Sequence, residues 1–368
     1  MREIIASQKF FIGLIIGLAV FGLIVLLSAS GPISYANYSD PLYFVRRQIL
    51  LGLLPGAIAF LIFSRLDYRI LKKVAFPALL VSLALLVLVF IPGVGITLGG
   101  SSSWVSIAGI SFQPSEFVKM TFLVYAAAWL ASRGKEGIRS PEGTSAFLLA
   151  LGAVVVLLVL QPDTGSMSVI AGTTILMYLA AGGPVLWVLG LVLSGVAGLA
   201  VLIQLTPYRA ARFMTFLHPE LDPQGVGYHI NQAFLAIGSG GLFGLGFGQS
   251  RQKYLYLPEV QGDSVFAVMA EELGFMMVVL FICAIMLLVW HCFQVARQSH
   301  DAFGRFVAMG VGIWIAVQTT VNIGSMVGIM PMTGVTLPFV SYGNSSTLSL
   351  FVALGIVFSI ARHAQGRK

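Results

Sequence analysis

Ten stretches of 16 to 27 predominantly apolar residues recur along the chain, at 9–29, 48–64, 74–91, 115–131, 146–161, 166–182, 185–205, 265–291, 305–323 and 346–361. Crossing the ~30 Å hydrocarbon core of a bilayer takes about 20 such residues in a helix, and a helix satisfies its own backbone where water cannot. The expected fold is therefore all-α: a polytopic integral membrane protein of ten transmembrane helices. It forms one membrane domain over residues 1–368, with a large outer loop at 206–264 between the seventh and eighth helices. Composition agrees, with 58% apolar and only 10% charged residues and a mean hydropathy of +0.94. Ordinary soluble domains are about a quarter charged, so a soluble domain is excluded, and so is a disordered chain. The two cysteines, Cys283 and Cys292, provide neither a disulfide scaffold nor a cysteine zinc cluster. Arg2, Lys9, the first apolar run and Ser28-Ala29-Ser30 resemble a secretory leader. The run is too long for a leader's apolar region and nine more follow, so it reads as the first span.

Basic residues set the orientation. With the N-terminus inside, fourteen Lys and Arg fall on inner segments, six on outer ones, and Lys119 within the fourth span. Both termini are thus expected in the cytoplasm. The net charge of +7 then reflects inner loops facing anionic lipid rather than a nucleic-acid partner.

Chemistry gathers on the opposite side. The polar segments 92–114, 161–165, 206–264 and 324–345 are rich in Gly, Pro, Ser and acid, and outer loops of this kind invite a functional reading. In the largest, residues 208–217 and 228–237 have amphipathic helical spacing. Six glycines between Gly238 and Gly248 fit neither phosphate-loop pattern; they read as a loop dipping back to the membrane surface. Asp263 stands at the outer mouth of the eighth span, either as a free acid or as a plain N-cap. Glu271 and Glu272 lie about two turns deeper, where acids mark polar interiors. Helical rotation puts Glu271 nearer the face of Asp263 and Glu272 nearly opposite. Glu116 and Lys119 share one face at i, i+3 of the fourth span. They form either a structural ion pair or part of a hydrated cavity reaching the mouth of Asp263. Asp163, after Gln161-Pro162, either ends a helix or lines that cavity. No H-E-x-x-H or G-x-S-x-G occurs, no histidine pair has metal-ligand spacing, and His229 reads as a solvated helix face.

Across essentially its whole length the chain resembles the SEDS family (shape, elongation, division and sporulation) of FtsW, RodA and SpoVE. The resemblance rests on Phe112-Gln113-Pro114-Ser115-Glu116 with Lys119, Gln161-Pro162-Asp163, and Asp222-Pro223-Gln224-Gly225 through Gly238–Gly244. It continues with Leu257-Pro258-Glu259 and Asp263, Ala270-Glu271-Glu272-Leu273-Gly274, and Asn322 through Pro338-Phe339-Val340-Ser341-Tyr342-Gly343. Two places depart from the family pattern. Asn344 stands where a second glycine is usual, and Gln261-Gly262-Asp263-Ser264 where His-Thr-Asp-Phe is usual. Residues 250–254 lean toward the division branch, FtsW.

The resemblance implies a peptidoglycan glycosyltransferase that polymerises lipid II on the outer face of the bacterial cytoplasmic membrane, in cell division or cell-shape maintenance. It implies Asp263 as the catalytic residue. It further implies Glu116, Lys119, Trp104, Gln113, Glu259, Arg212, Arg251, Lys253 and Ser341 as substrate-binding residues. The expected partners are a class B penicillin-binding protein and other divisome or elongasome membrane proteins. No covalently bound cofactor is expected; a divalent cation, Mg or Mn, held between pyrophosphate and a carboxylate suits the chemistry. Two other readings of a polytopic chain with intramembrane charges remain, a lipid II flippase and a non-catalytic scaffold of the synthesis complex. The first needs a polar inner mouth comparable to the outer one; the second needs no outer acid.

Overall fold

The structure, a computed structural model, describes residues 8–93, 95–98, 101–107, 110–205, 214, 216–218 and 225–365. Each of the ten apolar stretches is helical. The helices are α1 (Gln8–Tyr38), α2 (Tyr43–Arg47) continued through a π-helical turn (Gln48–Leu53) into α3 (Leu54–Arg65), and α4 (Arg69–Leu88). Then come α5 (Pro114–Arg139), α6 (Pro141–Leu160), α7 (Thr164–Ala180), α8 (Val185–Leu205), α9 (Val226–Ser239), α10 (Val265–Gln298), α11 (Ala302–Met326) and α12 (Asn344–Gln365). Seven of these, counting α2 to α3 as one, are long and apolar enough to cross a membrane. The chain is a multi-pass, predominantly helical membrane protein.

Helix ends follow from local sequence. Pro114 and Pro141 occupy first turns, where a missing N–H costs nothing. Ser140, Asp163 and Asp301 cap α6, α7 and α11 by accepting from the backbone N–H three residues on. Gly274, at φ 74°, breaks α10.

The core is centred on α11, which packs against α10, α7, α5 and α12. Small residues make that possible: a Cβ on Gly310 would lie 2.7 Å from the sulfur of Met177, a close approach of the kind that membrane helices use. Apolar side chains such as Ile58 and Leu61 on α3 and Leu80 and Val81 on α4 instead point outward. That is the inside-out arrangement expected of lipid-facing helices.

One element was not foreseen in the sequence. Segment 92–114 contains a three-stranded antiparallel sheet, β1 (Gly95–Leu98), β2 (Ser101–Ile107) and β3 (Ile110–Phe112). Ile96 pairs with Trp104 and Val105 with Phe112. The sheet delivers the chain directly into Gln113 and the start of α5.

Candidate functional site

The turn before α10 holds Asp263. Leu255 and Glu259 adopt positive φ, 67° and 50°, and the Gly262 and Ser264 N–H groups both donate to the Glu259 carbonyl. Ser264, not Asp263, occupies the N-cap position, and its side chain makes no capping bond. The capping alternative for Asp263 therefore falls away. Three separate elements pin the turn. Asn322 Nδ2 of α11 donates to the Asp263 carbonyl at 2.9 Å and to the Val335 carbonyl at 2.7 Å. The Tyr342 N–H donates to the Gln261 carbonyl at 2.7 Å. His229 Nε2 of α9 lies 2.5 Å from Ser264 Oγ, so His229 is half-buried and joined to this turn rather than on a solvated face.

The Asp263 side chain itself is half-buried, and its Oδ1 is shielded with no hydrogen-bond partner among the described residues. Desolvation, and then the neighbouring Glu259 charge, push its carboxyl up to about 7. Desolvation also raises the exposed Glu259 above the usual carboxylate range. Hydrogen bonds from the Asp263 and Ser264 N–H groups and the Ser264 hydroxyl lower the Asp263 carboxyl in part, and a carboxyl poised near neutrality with one oxygen unbonded suits a general base.

Below the turn, the charged pair of α5 is closed. Lys119 Nζ donates to Glu116 Oε1 at 2.7 Å and to Gln318 Oε1 at 3.1 Å. Trp314 Nε1 donates to the same Gln318 oxygen, and Lys119 lies over the Trp314 ring. Both charged side chains are buried; Glu116 Oε2 alone lacks a partner among the described residues. Gln318 and Asn322 are one turn apart on α11, so one helix face supports both the ion pair and the acid turn.

The remaining sequence candidates divide. Gln113 Nε2 donates to Asp163 Oδ2, as does Ser115 Oγ, while Asp163 Oδ1 caps α7. Asp163 is thus a helix cap and a bracket between α5 and α7. Trp104 is half-buried on β2 and Arg251 is exposed. Ser341 is buried, and its hydroxyl accepts from the Leu337 N–H at 2.7 Å, so it shapes a turn. Arg212 and most of 208–217 lie outside the described residues, as do Asp222, Pro223 and Gln224.

Lys253 requires a correction. Instead of standing open to an anionic ligand, it is buried and donates to Glu272 Oε1 at 2.7 Å, Ser28 Oγ at 3.0 Å and the Gly248 carbonyl. Ser28 Oγ donates to Glu272 in turn at 2.6 Å. This pair joins α1, the glycine-rich segment and α10, because a buried charge is stable only with a partner. Glu271 is a bracket too. It accepts from Ser250 Oγ and from the N–H groups of Arg251 and Gln252, and so fastens the 250–252 turn rather than sharing a cavity with Asp263.

The glycine run also differs from a simple surface dip. Its backbone pairs with the broken part of α10: the Leu245 and Gly246 N–H groups donate to the Glu271 and Glu272 carbonyls, and Phe275 and Met276 donate back to Gly241 and Leu242. A Cβ on Gly244 would lie 2.1 Å from the Glu272 oxygen, and one on Gly274 would lie 2.2 Å from the Gly244 nitrogen. Only glycine allows that approach.

Among the described residues no three His, Cys, Asp or Glu side chains form a metal cluster. Asp263 and the adjacent Glu259 are nonetheless two carboxylates at one mouth. That number suits a Mg-type ion whose other ligands are phosphate oxygens and water.

Residues 8–366 match the family model described as cell cycle protein, which covers FtsW, RodA and SpoVE. The chain is 38% identical over 351 residues to stage V sporulation protein E of Bacillus subtilis (strain 168), spanning 95% of both chains. It is 37% identical over 349 residues to a probable peptidoglycan glycosyltransferase FtsW of Trichlorobacter lovleyi, spanning 95% of this chain and 91% of the relative. Among solved structures it superposes on a chain from a peptidoglycan synthase complex that coordinates polymerization and crosslinking, with a TM-score of 0.80, 28% identity and 98% of both chains covered. The Thermus thermophilus rod shape determining protein RodA superposes with a TM-score of 0.72, also at 28% identity over 98% of both chains.

Proposed function

The chain belongs to the FtsW, RodA and SpoVE family and is a peptidoglycan glycosyltransferase, and we propose that it polymerises lipid II with Asp263 as its general base. The observation that carries this reading is the Asp263 carboxylate. It sits at the mouth of a membrane helix, fixed by α9, α11 and the 335–342 segment, with an oxygen that serves no structural bond.

The reaction joins the 4-hydroxyl of an acceptor sugar to the anomeric carbon of a lipid-linked disaccharide and expels a lipid pyrophosphate. As the new bond forms, Asp263 takes the hydroxyl proton. The glycan lies in water outside the membrane while the polyprenyl chain lies among the helices. Charge grows on the leaving pyrophosphate and calls for nearby cations. Arg251 is exposed for this task and Arg212 belongs to the same loop, whereas Lys253 and Lys119 are committed to buried carboxylates. Glu259, exposed beside the acid, would help hold a divalent ion on the pyrophosphate, where it would neutralise the same charge while Asp263 stays free as the base. Glu116, Lys119, Gln113 and Ser341 then act by holding the walls, and Trp104 offers a ring face to the sugar.

In this reading all ten helices cross the bacterial cytoplasmic membrane, both termini are cytoplasmic, and 206–264 faces outward. The whole chain is one membrane domain. A class B penicillin-binding protein, within a larger divisome or elongasome assembly, receives the strands for cross-linking. A flippase draws little support, because both intramembrane ion pairs are closed.

The decisive test is incubation of the purified chain and its partner with labelled lipid II. Long glycan strands are expected even when the partner's transpeptidase is inactivated. Strand synthesis that depends only on another polymerase would return weight to the scaffold and flippase readings.

A further inference from the structure

An open, shallow groove of about 460 Å³ runs along the outer face of α3, lined by Ile58, Leu61, Ile62, Arg65 and Leu66, all of this helix and the residue that ends it. The opposite face of α3 is covered by α12. Ile58, Leu61 and Ile62 are each more than half exposed. The eight-residue rise from Ile58 to Leu66 is about 12 Å, close to the ~15 Å of one hydrocarbon leaflet.

A cation stands at the end of this apolar groove. The Arg65 guanidinium is exposed and has no hydrogen-bond or ion-pair partner among the described residues. Carbonyls at a helix C-terminus would ordinarily repel an anion, but here they are taken. Arg362 Nη2 donates to the Arg65 carbonyl at 2.8 Å and Ser359 Oγ to the Leu66 carbonyl at 2.6 Å. The flanking cations are Arg69, Lys72, Lys73 and Arg362. The nearby acids are engaged: Asp67 accepts from the Arg69 N–H, and Asp301 accepts from Tyr68 and the Gly304 N–H.

We propose that this groove binds an anionic phospholipid of the surrounding bilayer, one acyl chain lying along Ile58, Leu61 and Ile62 and the phosphate meeting Arg65. The inference rests on the membrane-spanning reading and not on the glycosyltransferase site. An apolar groove of leaflet length fits an acyl chain, and an unpaired guanidinium with a basic surround selects a headgroup of negative net charge over a zwitterion.

The test uses the full chain in vesicles of phosphatidylglycerol or phosphatidylcholine whose acyl chains are dibrominated, with an indole introduced by Leu61→Trp. The parent protein supplies the background of its five tryptophans. A control, Val156→Trp, places the indole on the exposed face of α6, away from this cluster. Brominated phosphatidylglycerol is expected to quench the Leu61→Trp reporter with about fivefold higher relative affinity than brominated phosphatidylcholine, the gain of one basic side chain at an anionic headgroup. Arg65→Gln should bring that ratio near one, and the control should show no preference. Equal quenching by the two lipids at Leu61→Trp, a preference that survives Arg65→Gln, or no quenching there while the control is quenched would each overturn the site. Failure of the control to be quenched by either lipid would instead overturn the membrane placement beneath it.

Discussion

The acid and the pairs beside it are where single residues decide the chemistry. With its carboxyl pushed up to about 7, Asp263 can act as the proposed base only when ionised. Glycan synthesis should therefore fall about tenfold for each unit of pH below 7 and level off above it, measured as initial rates on labelled lipid II. The stability contribution runs the other way. The folded carboxyl is raised above its ordinary 3.8, so the folded state holds the proton better, and the stability this supplies is lost as pH rises from about 4 to 7. A pH profile that follows unfolding would thus have the opposite slope. The Lys253–Glu272 pair belongs to the same scale. Lys253→Met leaves Glu272 buried without its cation, a change that costs about 3–5 kcal/mol in comparable sites, and thermal unfolding should show a markedly lower midpoint. Lys119→Met is expected to depress polymerisation more than folded yield, because Gln318 and Asn322 link its pair to the acid turn along α11. Equal losses would make the pair structural alone.

Among the elements, the break at Gly274 and the glycine segment paired with it fasten the 238–252 run to α10. Gly274→Ala forces a Cβ against the Gly244 nitrogen at φ 74°. Strain of this kind costs on the order of 1–3 kcal/mol, and limited proteolysis should find 238–252 newly accessible. The sequence made the helices legible because a membrane span is a matter of length and hydropathy, which survive any packing. It also exposed Asp263, because an acid at the mouth of an apolar run is conspicuous. Other features depend on contacts between distant residues and left no local mark. Lys253 and Glu272 meet where the glycine segment pairs with the broken stretch of α10. His229 meets Ser264 across 35 positions, and its amphipathic spacing alone suggested solvent. The β1–β3 sheet was hidden in a short Ser- and Gly-rich run whose apolar alternation is too brief to stand out.

For the molecule as a whole, the fourteen-to-six distribution of basic residues is the ground for the proposed orientation, with the Asp263 turn outside. Ser239 is exposed at the end of α9, and Gly137 lies near the end of α5. Cysteines at these positions should react with an impermeant maleimide from outside and only after permeabilisation, respectively. The reverse pattern would place Asp263 on the side where a flipped lipid-linked disaccharide is absent.

The catalytic role of Asp263 is tested most directly by Asp263→Asn, assayed with the partner protein on labelled lipid II and checked for folding by its thermal midpoint. The substitution keeps the size of the side chain and removes only its basicity. Polymerisation is expected to fall about 10²–10⁴-fold while the thermal midpoint stays at or above that of the parent, since a neutral side chain no longer pays for desolvation. Long glycan strands made at a near-parental rate by the Asp263→Asn protein would contradict the assignment of Asp263 as the base.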